Sequence, residues 1–328
     1  MKKHFDLIEK FKNEKILVIG DFILDEYLYG ETERISREAP VLILKYNKSV
    51  YLAGGGANPI MNIKDIGATP VPVTVVGTDK YSDIILDLLV KKGADISNII
   101  KASAYQIPVK TRILAGSVHT VKQQIVRIDH YQTKPLAENI EKKLIENIHR
   151  LSPECSAILV SDYGGGVISD AVISVVNALA KKGKKVVVDS RYALSKFKYI
   201  TTATPNETEA GPVVGMETYG DKAVDEMAKL LCEKMKATGM IVTRGSKGMT
   251  VFEKNKLTKI APFGSDDIVD VNGAGDTVSS ITAVALGAGA SLVDAAFLAN
   301  IGGGLVVMKR GVATVTPEEL KKALKKIK

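Results

Sequence analysis

Residues 270–280 read Asp270-Val271-Asn272-Gly273-Ala274-Gly275-Asp276-Thr277-Val278-Ser279-Ser280. A turn of small residues, Gly273, Ala274 and Gly275, delivers the Asp276 carboxylate to the start of a long apolar run. If that run is helical, the turn presents backbone N–H groups at the positive end of the helix. Such a place binds phosphate or a developing anion. An acid fixed beside it can take a proton from a hydroxyl. Together they supply what phosphoryl transfer from a nucleotide to an alcohol needs. Taken alone, the same residues are also a tight turn with Asp276 as a helix cap. The context favours the chemical reading. The segment before the motif reads as a strand at 257–263 and a loop, Gly264-Ser265-Asp266-Asp267, and residues 277–286 carry no charge and suit a buried helix.

Working outward, Lys15-Ile16-Leu17-Val18-Ile19-Gly20 is an apolar run of the kind that forms a strand buried in a parallel sheet. Similar runs recur at 71–76, 157–161, 185–189 and 240–243. Helical patterns fill the intervals at 57–66, 81–92, 138–150, 169–182 and 222–236, and two long helices, 276–286 and 292–309, close the chain. Strand and helix alternating at this spacing predict an α/β fold with a doubly wound, mostly parallel sheet flanked by helices. Residues 23–52 and 105–131 break the alternation with patterns such as Val41-Leu42-Ile43-Leu44 and Gln123-Gln124-Ile125-Val126-Arg127-Ile128. They read as antiparallel strands outside the main sheet, a small discontinuous lid on a single domain of residues 1–328.

Further groups sit where ligands bind in such folds. Gly20-Asp21-Phe22-Ile23-Leu24-Asp25 sets two carboxylates after a buried strand, able to accept hydrogen bonds from sugar hydroxyls, and equally consistent with a polar loop. Ala53-Gly54-Gly55-Gly56-Ala57-Asn58 lets backbone approach a ligand, or makes a turn with Asn58 as cap. Thr204-Pro205-Asn206-Glu207-Thr208-Glu209 by itself reads as a helix start with acidic first-turn residues. The segment Thr243-Arg244-Gly245-Ser246-Lys247-Gly248 ends a strand in a glycine turn. Neither a P-loop, nor the protein-kinase motif set, nor a dinucleotide fingerprint is present.

Composition bounds the rest. The 328 residues are 45% hydrophobic and 25% charged, as in ordinary soluble chains. The net charge of +8 and a pI near 9.1 suit anionic small molecules, or lysines on solvated helix faces such as Lys321, Lys322, Lys325, Lys326 and Lys328. Without tryptophan or a nucleic-acid motif, nucleic acid is not an expected partner. Cys155 and Cys232 read as buried free thiols of a reducing compartment. His4, His119, His130 and His149 are scattered and suggest no zinc site. No secretory signal is visible, and the longest uncharged run, 277–293, is too short and polar for a membrane span; a cytoplasmic location is expected.

The 270–280 stretch resembles the second signature of the ribokinase-like, PfkB-type carbohydrate kinases, and 53–58 resembles their first. The resemblance covers nearly the whole chain and implies Asp276 as catalytic base, with Gly273, Ala274 and Gly275 as the anion hole for the transferred phosphoryl. It implies sugar contacts from Asp21, Asp25, Gly55, Gly56, Asn58 and Asp162. Asn206 and Glu209 would organise Mg²⁺ largely through water. Thr243, Gly245, Gly248, Asn272 and Asn300 would lie around ATP. The segment 30–41, together with Gln123–Asp129 and Ser161-Asp162-Tyr163-Gly164, is most similar to the kinase module of bacterial heptose-7-phosphate kinase/adenylyltransferase proteins. That group phosphorylates an anomeric hydroxyl of a sugar phosphate, so Lys110, Arg112 and Arg127 are candidate phosphate ligands. The lid in this family often supports a homodimer. Two departures stand out. The family has small residues where Ser280 and Ile281 occur, and the group has lysine where Gly165 occurs. Kinases of fructose, a fructose phosphate, a keto-deoxy sugar acid or a nucleoside, and a non-catalytic binding relative, remain alternatives.

Overall fold

The computed structural model describes residues 2–116, 122–131, 135–217, 220–264, 269–309 and 311–327. His119, Ser265, Asp266, Asp267 and Lys328 fall outside them.

Five parallel strands form the core sheet in the order Thr202–Ala203, Val186–Ser190, Ala157–Asp162, Lys15–Gly20 and Thr69–Val73. Their side chains are buried on both faces because helices cover both, and for that reason the strands read as continuous apolar runs rather than alternating ones. The 71–76 run does not stay in one strand. It breaks at Thr74, whose hydroxyl donates to the Gly20 carbonyl (2.7 Å), and Val75–Val76 pairs with Ile100–Lys101. The strand Gly239–Thr243 continues the sheet through Thr243 N–H to Pro205 O (2.9 Å), then turns antiparallel into Met249–Glu253 and Lys256–Ile260.

The second sheet orders Leu42–Gly55, Phe22–Ile35, Val109–Gly116 and Gln123–His130. Both hairpins are antiparallel, as the alternation predicts. They join through a parallel pairing of the two inner strands, which a periodicity of two cannot distinguish. At the chain's end a third helix, Pro317–Leu324, follows the two expected ones, and a further helix, Lys2–Lys10, opens the chain. Lys321 on that last helix pairs with Glu9, 2.7 Å away.

The helix Ala274–Gly287 is buried without a break from Asp276 to Leu286, so it has no solvent face and lies inside the molecule. Ile281, one of the two family departures, fits because its neighbour helix Leu292–Val307 offers Gly302: a Cβ there would stand 2.1 Å from Ile281 Cδ1. Near the carboxyl ends of core strands, Asp162, Asp189, Thr204 and Thr243 share a cavity with Gly275 and Asp276 at this helix's N-terminus. In open α/β sheets this crevice is where ligands bind.

Candidate active site

Gly273 sits in the left-handed region (φ +80°), and a Cβ on it would lie 2.8 Å from Asn58 Nδ2, so the residue before the helix must be glycine. The first-turn N–H groups of Gly275 and Asp276 have no intrahelical acceptor. Asp276 is 6% exposed. Its Oδ2 accepts from Asn58 Nδ2 (2.7 Å) and its Oδ1 from the Tyr163 hydroxyl (2.9 Å). Asn58 is itself oriented: its Oδ1 accepts from Asn62 Nδ2 (3.1 Å), and Asn62 Oδ1 accepts from Thr277 Oγ1 (2.7 Å). Burial pushes the Asp276 carboxyl up to about 6, against the two hydrogen bonds, with Asp25 raising it further and Lys110 opposing. The group is therefore a carboxylate at neutral pH, with lone pairs left for one more donor.

Three cavities lie around the start of this helix, two of them lined by the carboxylate itself. The first, about 280 Å³, is mostly apolar; Thr243, Gly245, Gly248, Ala274, Gly275 and Asn300 line it with Phe263, Val271 and Val307. Asn300 donates to the Ala261 carbonyl (2.8 Å). The second, about 140 Å³, is strongly charged and holds Asp25, Tyr27, Gly55, Asn58, Lys110 and Arg112 beside Asp276. The third, about 390 Å³, holds Asp162, Asp189, Asn206 and Glu209. Gly275 walls the first and third; Tyr163, Arg191, Asn272, Gly273 and Asp276 wall the second and third. A reacting hydroxyl in the second cavity and a phosphoryl group in the third could thus both reach Asp276.

In the charged cavity Arg112 pairs with Asp25 (2.5 Å), both side chains little exposed, and its guanidinium lies over the Tyr27 ring (5.1 Å). Gly54 must stay small, since a Cβ would reach 2.2 Å from Asp25 Oδ2. Lys110 and Arg191 both approach the Tyr163 ring (5.8 and 5.7 Å), and burial pulls the Lys110 ammonium below its usual range. In the third cavity Asn206 and Glu209 cap their helix reciprocally: Asn206 Oδ1 accepts from Glu209 N–H (2.9 Å) and Glu209 Oε2 from Asn206 N–H (3.0 Å). Asp189 is half-buried, and desolvation, then Asp276 and Glu209, drive its carboxyl well above the ordinary range.

Three residues expected at the ligand do not line these cavities. Asp21 is wholly buried, and both its oxygens accept backbone N–H groups, from Tyr163 (2.9 Å) and Val167 (2.8 Å); it holds the 163–167 loop. Gly56 packs against Gly20 and donates to the Asp21 carbonyl (2.7 Å). Arg127 lies on the outer lid strand, exposed and paired with Asp129 (2.7 Å). The glycine at 165 also has a structural reason. A Cβ there would stand 2.9–3.0 Å from the Asp21 side chain, and the Gly165 carbonyl accepts from Tyr105 OH (3.1 Å), so a lysine would not fit. Sequence reading did not single out Arg191, Asp189 or Tyr27, nor give Tyr163 a role. Asp189 lies near the end of a buried strand and Arg191 follows it, as Asp21 follows another, and that position was the available signal.

The chain matches a family model described as pfkB family carbohydrate kinase over residues 13–319. It is 36% identical over 321 residues to "Bifunctional protein HldE" of Mesorhizobium japonicum, covering 97% of this chain and 63% of that protein. The namesake in Geobacter sulfurreducens is 34% identical over 306 residues, at 93% and 61% coverage. The chain thus spans under two thirds of these relatives. Among solved structures, Arabidopsis thaliana ribokinase complexed with ribose and ATP superposes with TM-score 0.73 at 19% identity, over 95% of this chain and 99% of that one. Escherichia coli phosphofructokinase-2 in complex with potassium gives 0.74 at 18%, over 95% and 98%. By family match and fold together, this chain belongs to the pfkB family and is a carbohydrate kinase with the ribokinase-like architecture.

Proposed function

We propose that this kinase transfers the γ-phosphoryl group of ATP to a hydroxyl of a sugar that already carries a phosphate, a heptose 7-phosphate phosphorylated at its anomeric hydroxyl. The observation that carries this reading is the position of Asp276, on the wall shared by a cavity rich in cations and an oxygen-lined one, at a helix N-terminus whose Gly275 also lines the apolar cavity. Lys110, Arg112 and Arg191 suit the acceptor's phosphate. Asp25, Gly55 and Asn58 face its hydroxyls, with Asp21, Gly56 and Asp162 supporting the loops behind them. ATP lies with its base in the apolar cavity against Thr243, Gly245, Gly248 and Asn300, and its phosphates pass Asn272 toward Gly273–Gly275.

The acceptor hydroxyl gives its proton to Asp276 as the oxygen attacks the γ-phosphorus. The new O–P bond forms while the bond to the bridging β–γ oxygen breaks, and ADP leaves with that electron pair. Gly273, Ala274 and Gly275 present amide hydrogens to the charge on the moving group. Magnesium fits the third cavity by donor chemistry: its acidic and amide side chains offer oxygen, and the crowding that drives up the Asp189 carboxyl calls for a cation. Asn206 and Glu209 would hold the ion through water, and its charge would offset that of the nucleotide phosphates.

Core and lid act as one kinase unit in this reading, and a second copy covers the lid. The lid carries Ile35, Leu42, Tyr46, Ile125, Val126 and Ile128, each more than 40% exposed. A donor pool of ATP places the reaction in the cytoplasm. The test is ADP release over a panel of sugars and sugar phosphates. Turnover confined to heptose 7-phosphate supports the proposal. Turnover with unphosphorylated sugars or nucleosides overturns the substrate class.

A further inference from the structure

We infer that Tyr163 is a positioning residue for the catalytic base, its hydroxyl holding Asp276 in the ionised state. This rests on Asp276 acting as base. The geometry leaves the phenol one role. Desolvation, then the negative charges of Asp276 and Asp189, raise the Tyr163 phenol well above its ordinary range, so its proton stays in place and the hydroxyl is a standing donor to Oδ1. Asn58 is the matching donor to Oδ2, because its own oxygen is already occupied by Asn62. Two fixed donors favour the carboxylate over the acid and direct its remaining lone pairs toward the cavities.

The rest of the site is built to hold the phenol there. Asp21, at the end of the Lys15–Gly20 strand, uses both oxygens to pin the loop that carries Tyr163. Lys110 and Arg191 approach the ring, and cations at an aromatic face strengthen its hydroxyl as a donor. The charged groups that share a cavity with Asp276 are Asp25, Lys110 and Arg112 from the lid, and Asp162, Asp189, Arg191 and Glu209 from the core. Asp25 and Asp189 oppose ionisation; the tyrosine hydrogen bond and Lys110 counter them.

The test removes the hydroxyl alone, as Tyr163→Phe. The base works as a carboxylate, so activity is present above its pKa and falls about tenfold for each pH unit below it. In the unmodified protein that limb is expected near 6. Losing one hydrogen bond to a charged group should move it up by about one pH unit. Two measurements read it: ¹³C NMR titration of the Asp276 carboxyl in the free protein, assigned with Asp276→Asn, and the pH profile of kcat with MgATP and heptose 7-phosphate. An upward move in both, with kcat near pH 9 within about threefold of the original, supports the inference. An unmoved NMR titration overturns it, as does an equal loss of kcat at every pH. Because the NMR arm needs no substrate, silence of both proteins toward heptose 7-phosphate counts against the substrate proposal alone.

Discussion

The apolar cavity at Gly275 and the charged cavity at Asp276 are built from different materials. The apolar one is made of backbone and small residues: Gly245, Gly248, Gly275, Gly303 and Gly304 form much of its wall. At Gly304 a Cβ would lie 2.0 Å from the Phe263 carbonyl, and at Gly248 2.0 Å from that of Ile260, so chain closeness itself fixes those positions. The charged cavity is made of side chains, several carried by lid strands: Asp25, Tyr27, Lys110 and Arg112. A backbone-walled pocket tolerates little sequence change, whereas lid side chains can be exchanged without touching the core. In the proposed function, acceptor choice therefore belongs to the lid and donor handling to the core.

The substitution with the largest expected effect sits in the charged cavity, one residue from the Gly275 wall of the apolar one. Asp276→Asn should lower kcat by about two to four decades and leave ATP affinity nearly unchanged. Asparagine keeps an acceptor for Asn58 and offers its amide to the Tyr163 oxygen, so the fold should survive. Single-turnover kinetics with nucleotide titration reads this, and near-full activity would remove Asp276 from the base role. Next is Arg112→Met, which separates the two cavities. It should raise KM for the sugar phosphate by about tenfold to a hundredfold, the worth of a charge-assisted hydrogen bond, with KM for ATP within about twofold. A matching rise for ATP would show that the cavities are not independent. The smallest effect is expected from Gly165→Ala. Its methyl meets an Asp21 side chain locked by two hydrogen bonds, at a cost of about 1–3 kcal/mol, read by urea unfolding. Unchanged stability would mean the loop yields freely and does not aim Tyr163.

Much of this molecule could be read along the chain. The Lys15–Gly20 strand falls at its expected bounds, and the helices starting at Ala57, Glu138 and Leu292 begin where the pattern places them. Thr74 escaped because one hydroxyl bond to a neighbouring strand is invisible in a run of valines. The parallel join inside the lid escaped because alternation reports which face is buried and carries no direction. Within the candidate site, the glycine turn before Asp276 and the helix start at Asn206–Glu209 were legible from their local motifs. Asp21 was legible as a buried acid after a strand, but its partners, Tyr163 and Val167, are more than a hundred residues away, so its structural duty was not.

The sequence by itself determined the alternation of strand and helix, the glycine turn before an acid, and the excess of positive charge, because each depends on neighbours along the chain. Which acids face a cavity and which hold a loop was decided by tertiary structure alone. Asp25 and Asp21 lie four positions apart, yet one meets Arg112 in the charged cavity and the other is buried beneath the Tyr163 loop. Burial and hydrogen-bond partners set the chemistry of a carboxylate, and both are supplied by segments distant in sequence that meet where the core strands end.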